Sequence, residues 1–86
     1  MNYQIVLARE AARFLCSLRD KKLKGRLDTA ILTLSDSPRS ADCKKLSGMA
    51  HTYRKRVGDY RIVYEIDDEK IRILLLAIGH RREIYK

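Results

Sequence analysis

Proline occurs once and glycine four times in this chain of 86 residues, too few for a linker or a low-complexity segment. Tryptophan is absent, and the two cysteines, Cys16 and Cys43, are too few for a disulfide framework. Neither cysteine stands in a C-x-x-C pair or at a Cys/His ligand spacing, so a structural zinc site is not expected. A reduced interior is the default, with Cys16 packing as a small hydrophobe. The longest uncharged apolar run, Ile73 to Gly79, is far below the roughly 18–20 residues of a membrane helix. The opening MNYQIVLARE has no basic segment followed by an apolar one, so no secretory signal and a cytoplasmic location are expected. Acid is also in short supply. Eleven Asp and Glu stand against nineteen Lys and Arg, leaving a net charge of +8.

What is present is a globular composition, 45% apolar and 35% charged, of a length that suits one domain spanning residues 1–86. A domain this small buries only about 60–65% of the surface its unfolded chain exposes, so its core is thin. The positive charge is concentrated. Residues 44–61 hold Lys44, Lys45, Arg54, Lys55, Arg56 and Arg61 against the single acid Asp59. An excess so localised points to a polyanion, either nucleic acid or an acidic protein, more than to simple solubility.

Residues 2–7 read as a short strand. From Ala8 the period changes, and Ala11, Phe14, Leu15 and Leu18 share a helical face. After a break near Asp20, the positions Leu23, Leu27, Ala30, Ile31 and Leu34 form the stripe of a second amphipathic helix, stopped at Ser37-Pro38. Two helices joined so closely predict a helical hairpin. Residues 39–51 read as a loop tacked down by Leu46 and Met49. Strands are predicted over 52–57, 60–66 and 71–78, with a Gly58-Asp59 hairpin loop and a four-residue turn at 67–70. The fold class is therefore α+β, in the order β-α-α-β-β-β, with the helical hairpin packed on an antiparallel sheet.

Register turns this order into geometry. A two-residue loop at Gly58-Asp59 sets Val57 opposite Tyr60, Arg56 opposite Arg61, Lys55 opposite Ile62, Arg54 opposite Val63 and Tyr53 opposite Tyr64. Arg54, Arg56 and Arg61 then share one face, and Lys55 points to the other. In the second hairpin, Ile66 is expected opposite Ile71 and Glu65 opposite Arg72. Three arginines on one face repel one another. Their planar, permanently charged forks suit phosphate oxygens, which makes the face a candidate phosphate-binding surface. Tyr60 and Tyr64 share the other face with Ile62 and Ile66 and read as core. Asp67, Asp68 and Glu69 fall in a tight turn and read as solvated acids, with no metal expected.

The ordered combination of K-L-x-G-M before Y-R-K-R, then Y-R-I-V-Y, I-D-D-E-K, and a hydrophobic strand ending in G-H-R with a late tyrosine resembles the RelE-type toxins of toxin–antitoxin modules. The resemblance runs from Lys45 to Tyr85, and the strand and helical hairpin before it fit the same layout. It implies a small microbial ribonuclease-like fold and an endoribonuclease that needs no cofactor. Such an enzyme cuts mRNA in the A site of the small ribosomal subunit by attack of the 2′-hydroxyl on the adjacent phosphate. It also implies a RelB-like antitoxin partner, acidic or amphipathic where it grips the toxin, with operator DNA reached only through that antitoxin, and no membrane.

Carried over position by position, the family's basic strand residues fall on Arg54 and Arg56, and its Y-R arginine on Arg61. The arginine after the last strand falls on Arg81, and the near-terminal tyrosine on Tyr85. Some relatives place a histidine in the terminal segment, and His80 stands there. The catalytic set implied is Arg61, Arg81, Tyr85 and His80, with Arg54, Lys55, Arg56, Lys44 and Lys45 on the RNA. Arg61 and Arg81 would stabilise transition-state charge. The proton falls to His80, which titrates in the right range unperturbed, or to a Tyr85 whose pKa neighbouring arginines depress. The competing reading is a ParE-type toxin, similar in fold, directed at DNA gyrase and without nuclease activity.

Overall fold

The computed structural model describes residues 2–80. Strand β1 (Gln4–Leu7) leads into helix α1 (Arg9–Ser17) and helix α2 (Lys21–Asp36). Strands β2 (Cys43–Lys45), β3 (Thr52–Val57), β4 (Tyr60–Asp67) and β5 (Arg72–His80) follow. The five strands form one sheet in the order β1-β5-β4-β3-β2. Three of its four pairings are antiparallel. The fourth, β1 with β5, is parallel, so the sheet is mixed and not antiparallel throughout as expected.

The break between the helices falls where Asp20 caps α2, its carboxylate accepting the Leu23 N–H at 3.1 Å. The helix ends at Asp36, before Pro38. Its start and finish are thus set by one capping acid and one proline, and between them Leu27, Ala30 and Leu34 are buried in a line. With Ala11 of α1 they meet Val57, Ile62, Tyr64, Ile66, Ile73, Leu75 and Ile78 from the sheet. Among the described residues this is the single core, and it lies on one face of the sheet. None of the described helices is long and apolar enough to cross a membrane.

Four local expectations are corrected. The segment read as a loop contains β2, which pairs with β3 through Cys43–Lys55, Lys44–Arg54 and Lys45–Tyr53. Of the two residues expected to tack that segment down, Leu46 is half-buried and Met49 is exposed. Cys16 is exposed on α1, not packed. In the second hairpin, Ile66 pairs with Ile73 and Asp67 with Arg72, two residues beyond the expected register. The turn explains the shift. The Asp67 carboxylate accepts the N–H groups of Glu69 and Lys70, both at 3.1 Å, and Ile71 turns the chain with φ of 51°. Pairing therefore starts only at Arg72. A displacement of two keeps every side chain on its expected face.

A bulge then changes the parity of β5. Tyr64 pairs with Leu75 and Val63 with Ala77, which leaves Leu76 as the extra residue. Ile73 and Leu75 are buried before the bulge and Ile78 after it. Without it, Ile78 would leave the core and Gly79 would enter it.

Candidate RNA-binding and catalytic face

The sheet face away from the helices carries the basic cluster. The Gly58-Asp59 loop fixes the register of β3 and β4 as expected, with Arg56 opposite Arg61 and Arg54 opposite Val63. Strand β2 adds Lys44 beside Arg54. Two like-charge pairs, Lys44–Arg54 and Arg56–Arg61, therefore sit directly across from each other. Each pair works against the sheet by some tenths to about 1 kcal/mol. Neither is relieved by a carboxylate, because the ion pairs among the described residues are Arg39–Asp68 and Lys55–Asp42. Lys44, Arg54, Arg56 and Arg61 thus form a cationic surface whose repulsion an anion would relieve.

The four side chains differ in exposure. Lys44 and Arg56 are exposed, Arg54 is half-buried and Arg61 is buried at 7% relative exposure. Arg61 is held by the hairpin loop itself. Its Nη1 donates to the carbonyls of Tyr60 at 3.2 Å and Gly58 at 3.4 Å. Its Nε is buried with no partner among the described residues. A buried N–H without an acceptor costs about 1–3 kcal/mol, and an anionic oxygen at that edge would remove the cost. Paired with Arg61 on β5 is Gly79, which brings no side chain to that face. Sequence reading missed this residue, because its facing depends on the bulge at Leu76.

Other expected site residues lie elsewhere. Lys55 is buried on the helix side, where its Nζ donates to Asp42 Oδ2 at 2.8 Å. That pair lowers the Asp42 carboxyl from 3.8 to about 2, chiefly through the hydrogen bond from Lys55 and next through that from Ser40. Lys55 thus lies across the sheet from Arg54, Arg56 and Arg61, as its strand parity indicated. Lys45 is exposed, and its register partner Tyr53 places it on the helix side, away from Lys44. His80 pairs with Tyr60, the residue before Arg61, and so faces the helix side too. Its ring meets Tyr60 edge-on with centroids 5.5 Å apart, and Tyr60 packs at 6.0 Å against Phe14 of α1. The structure therefore brings together Lys44, Arg54, Arg56 and Arg61 and sets Lys45, Lys55 and His80 apart from them. Arg81 and Tyr85 lie outside the described residues.

The acids of the second hairpin have structural partners. Asp68 receives Arg39 at 2.7 and 3.2 Å and the Tyr3 hydroxyl at 2.9 Å. Those bonds, that from Arg39 first, hold its carboxyl below the usual carboxylate range. Arg39 also reaches the Tyr53 hydroxyl at 3.4 Å, and Tyr53 stacks on Tyr64 at 5.9 Å. Burial pushes the Tyr64 phenol well above its ordinary value, and its hydroxyl donates to the Pro38 carbonyl at 2.7 Å. These contacts tie the turn after α2 to β3, β4 and the far hairpin.

The same chain matches, over residues 5–85, the family model described as the ParE toxin of the type II toxin–antitoxin system parDE. It is 31% identical to Toxin RelG of Mycobacterium tuberculosis over 86 residues, all of this chain and 99% of RelG. The chain belongs to the RelE/ParE family of type II toxins. A further relative is the mRNA interferase toxin RelE of Escherichia coli, 31% identical over 67 residues, which cover 73% of this chain and 70% of RelE. Among solved structures, the toxin–antitoxin complex RelBE2 of M. tuberculosis superposes with a TM-score of 0.77 at 32% identity, covering 94% of this chain and all of that one. The archaeal RelE–RelB complex of Pyrococcus horikoshii superposes with a TM-score of 0.79 at 27% identity, covering 96% and 99%. This RelE-type toxin thus has the fold its sequence resembles, two helices on one face of a five-stranded sheet.

Proposed function

We propose that this toxin is a ribosome-dependent endoribonuclease that cuts mRNA in the A site. The observation that carries the reading is the sheet face away from the helices, on which Lys44, Arg54, Arg56 and Arg61 gather with no ion pair to a carboxylate among the described residues. The name mRNA interferase given to the E. coli relative supports it. In the proposed reaction the 2′-hydroxyl attacks the adjacent phosphorus while a base takes its proton. The phosphorane charge meets Arg61, and the 5′-oxygen leaves with a proton from an acid. The products are a 2′,3′-cyclic phosphate and a 5′-hydroxyl. Arg61 suits the stabilising role because the carbonyls of Gly58 and Tyr60 pre-orient it and its Nε has no partner among the described residues, so little reorganisation accompanies charge development. Lys44, Arg54 and Arg56 hold the backbone on either side. With His80 turned to the helix side, the proton and the remaining positive charge are assigned to Tyr85 and Arg81. A cognate RelB-like antitoxin, which the solved complexes of its relatives support, would cover this cationic face in the cytoplasm.

A second reading is favoured by the family model, whose description is that of the ParE toxin. In that reading the target is DNA gyrase and the arginine face is a docking surface. A reconstituted translation reaction with a defined mRNA, mapped by primer extension with and without ribosomes, separates the two. Cuts at A-site codons only when ribosomes are present, lost in Arg61→Ala and Tyr85→Phe, are expected. An intact mRNA together with inhibited supercoiling by gyrase would establish the alternative.

A further inference from the structure

We propose that a small cavity on the sheet face away from the helices reads a guanine base of the bound strand through Glu65 and Arg72. The proposal rests on the reaction above, in which that strand is mRNA, and gives it a base selectivity. The cavity has a volume of about 170 Å³ and is lined by Val6, Glu65, Asp67, Arg72 and Leu74. Three strands supply these side chains. Register sets Glu65 of β4 across from Leu74 of β5, Asp67 across from Arg72, and Val6 of β1 beside Leu74. Faces alternate along β4, so Glu65 and Asp67 share the face of Arg61. Glu65 stands four positions beyond Arg61, a span of about 13 Å. Val63 and Ala77, paired and half-buried, form an uncharged floor between the two. A strand held at Arg61 thus brings a base close to the cut over the cavity.

The polar groups there are not used against one another. Opposite charges directly across an antiparallel pair ordinarily attract. Arg72 nevertheless forms no ion pair with Asp67 or Glu65, since the ion pairs among the described residues are Arg39–Asp68 and Lys55–Asp42. The Asp67 carboxylate is engaged by the N–H groups of the turn. Glu65 and Arg72 are both half-buried, and the Arg72 Nε is buried with no partner among the described residues. An acceptor and a donor therefore flank the apolar side chains of Val6 and Leu74.

This combination selects its ligand. Two carboxylates repel a phosphate, and a guanidinium repels an ammonium. An apolar side chain would desolvate both charges without replacing their hydrogen bonds. A flat neutral group with apolar faces and both donors and acceptors on one edge meets every requirement, and a nucleobase is such a group. Guanine alone sets two donors side by side, N1–H and the N2 amine, to match the two oxygens of a carboxylate. Its O6 acceptor lies next to them. Glu65 takes the two donors and Arg72 donates to O6. Adenine, cytosine and uracil each place an acceptor beside their donor, which would set a lone pair against the Glu65 carboxylate.

The test is binding of the full-length protein to 2′-O-methylated oligouridine, which cannot be cut, with a single guanine, adenine, cytosine or inosine at one central position, by fluorescence anisotropy. Inosine is guanosine without the N2 amine. Wild type is expected to bind the guanine strand about 10-fold more tightly than oligouridine, with inosine in between. In Glu65→Gln, whose amide matches only one of the two donors, that ratio falls to near 1. Asp28→Asn, the same loss of charge at an exposed position on α2, keeps it. A variant that merely binds or folds less well weakens both strands alike and leaves the ratio intact. A ratio near 1 in wild type, or one unchanged by Glu65→Gln, would overturn the assignment. Cleavage is then followed on ribosomes programmed with mRNAs varied base by base around the cut. Faster cutting beside a guanine, lost in Glu65→Gln, is expected. Cutting by wild type that is blind to every base would overturn the inference and leave the proposed reaction standing. A wild type that cuts no mRNA but keeps its guanine ratio would sink the reaction and leave the cavity as a guanine site.

Discussion

The Lys55–Asp42 pair should respond asymmetrically to mutation. Lys55 is 6% exposed on the helix side of β3, and its ammonium meets Asp42 at 2.8 Å. The Asp42 side chain is 58% exposed. Removing the carboxylate strands a buried cation, a loss of about 3–5 kcal/mol for a fully buried pair. Water reaching the Asp42 side reduces that to about 2 kcal/mol. Replacing the lysine with an apolar isostere leaves only a solvated carboxylate, and such replacements are often neutral. Asp42→Ala should therefore lower Tm by roughly 10 °C in a domain this small, with Lys55→Met within about 1 kcal/mol of wild type. The pH dependence has a defined sign. The Asp42 carboxyl is depressed from 3.8 to about 2, so its stabilising effect is complete above pH 3.8 and disappears as pH falls through 2. After discounting for exposure this amounts to about 1 kcal/mol, and it should be missing from Lys55→Met. Urea titrations of the three proteins between pH 2 and 6 measure all of it. Equal costs for the two variants, or a costlier Lys55→Met, would refute the reasoning.

Other outcomes follow from single contacts. Tyr64→Phe removes the 2.7 Å bond to the Pro38 carbonyl deep in the fold, and should lower unfolding free energy by about 1–3 kcal/mol in urea without changing the m-value. Gly58→Ala forces a side chain into the left-handed region against Arg26, which should cost about 1–2 kcal/mol and a Tm drop of several degrees by calorimetry.

Much of this geometry was legible because short turns leave little freedom. A two-residue loop permits one register, so the β3–β4 pairing and the shared face of Arg54, Arg56 and Arg61 followed from Gly58-Asp59 alone. The second turn hid its register because Asp67 spends its side chain on the turn N–H groups while Ile71 adopts a positive φ, a conformation its β-branched side chain disfavours. The run Leu74–Ile78 carries no alternation, so nothing in it marked Leu76 as a bulge. That one residue decides that Gly79 faces Arg61 and that His80 turns to Tyr60. Strand β2 escaped notice because three residues, two of them lysines, give no periodic signal. Its effect on the site is to bring Lys44 beside Arg54. Lys55 had been grouped with the arginines by charge, although its parity already placed it across the sheet.

The most direct test of the proposed reaction is single-turnover cleavage on mRNA-programmed ribosomes by wild type and Arg61→Ala, with ribosome affinity measured in parallel. Loss of a pre-oriented charge-stabilising group predicts a cleavage rate lower by about 10²–10³-fold, with affinity changed far less. A rate and an affinity that fall together, by the same factor, would contradict it and reduce Arg61 to a binding contact.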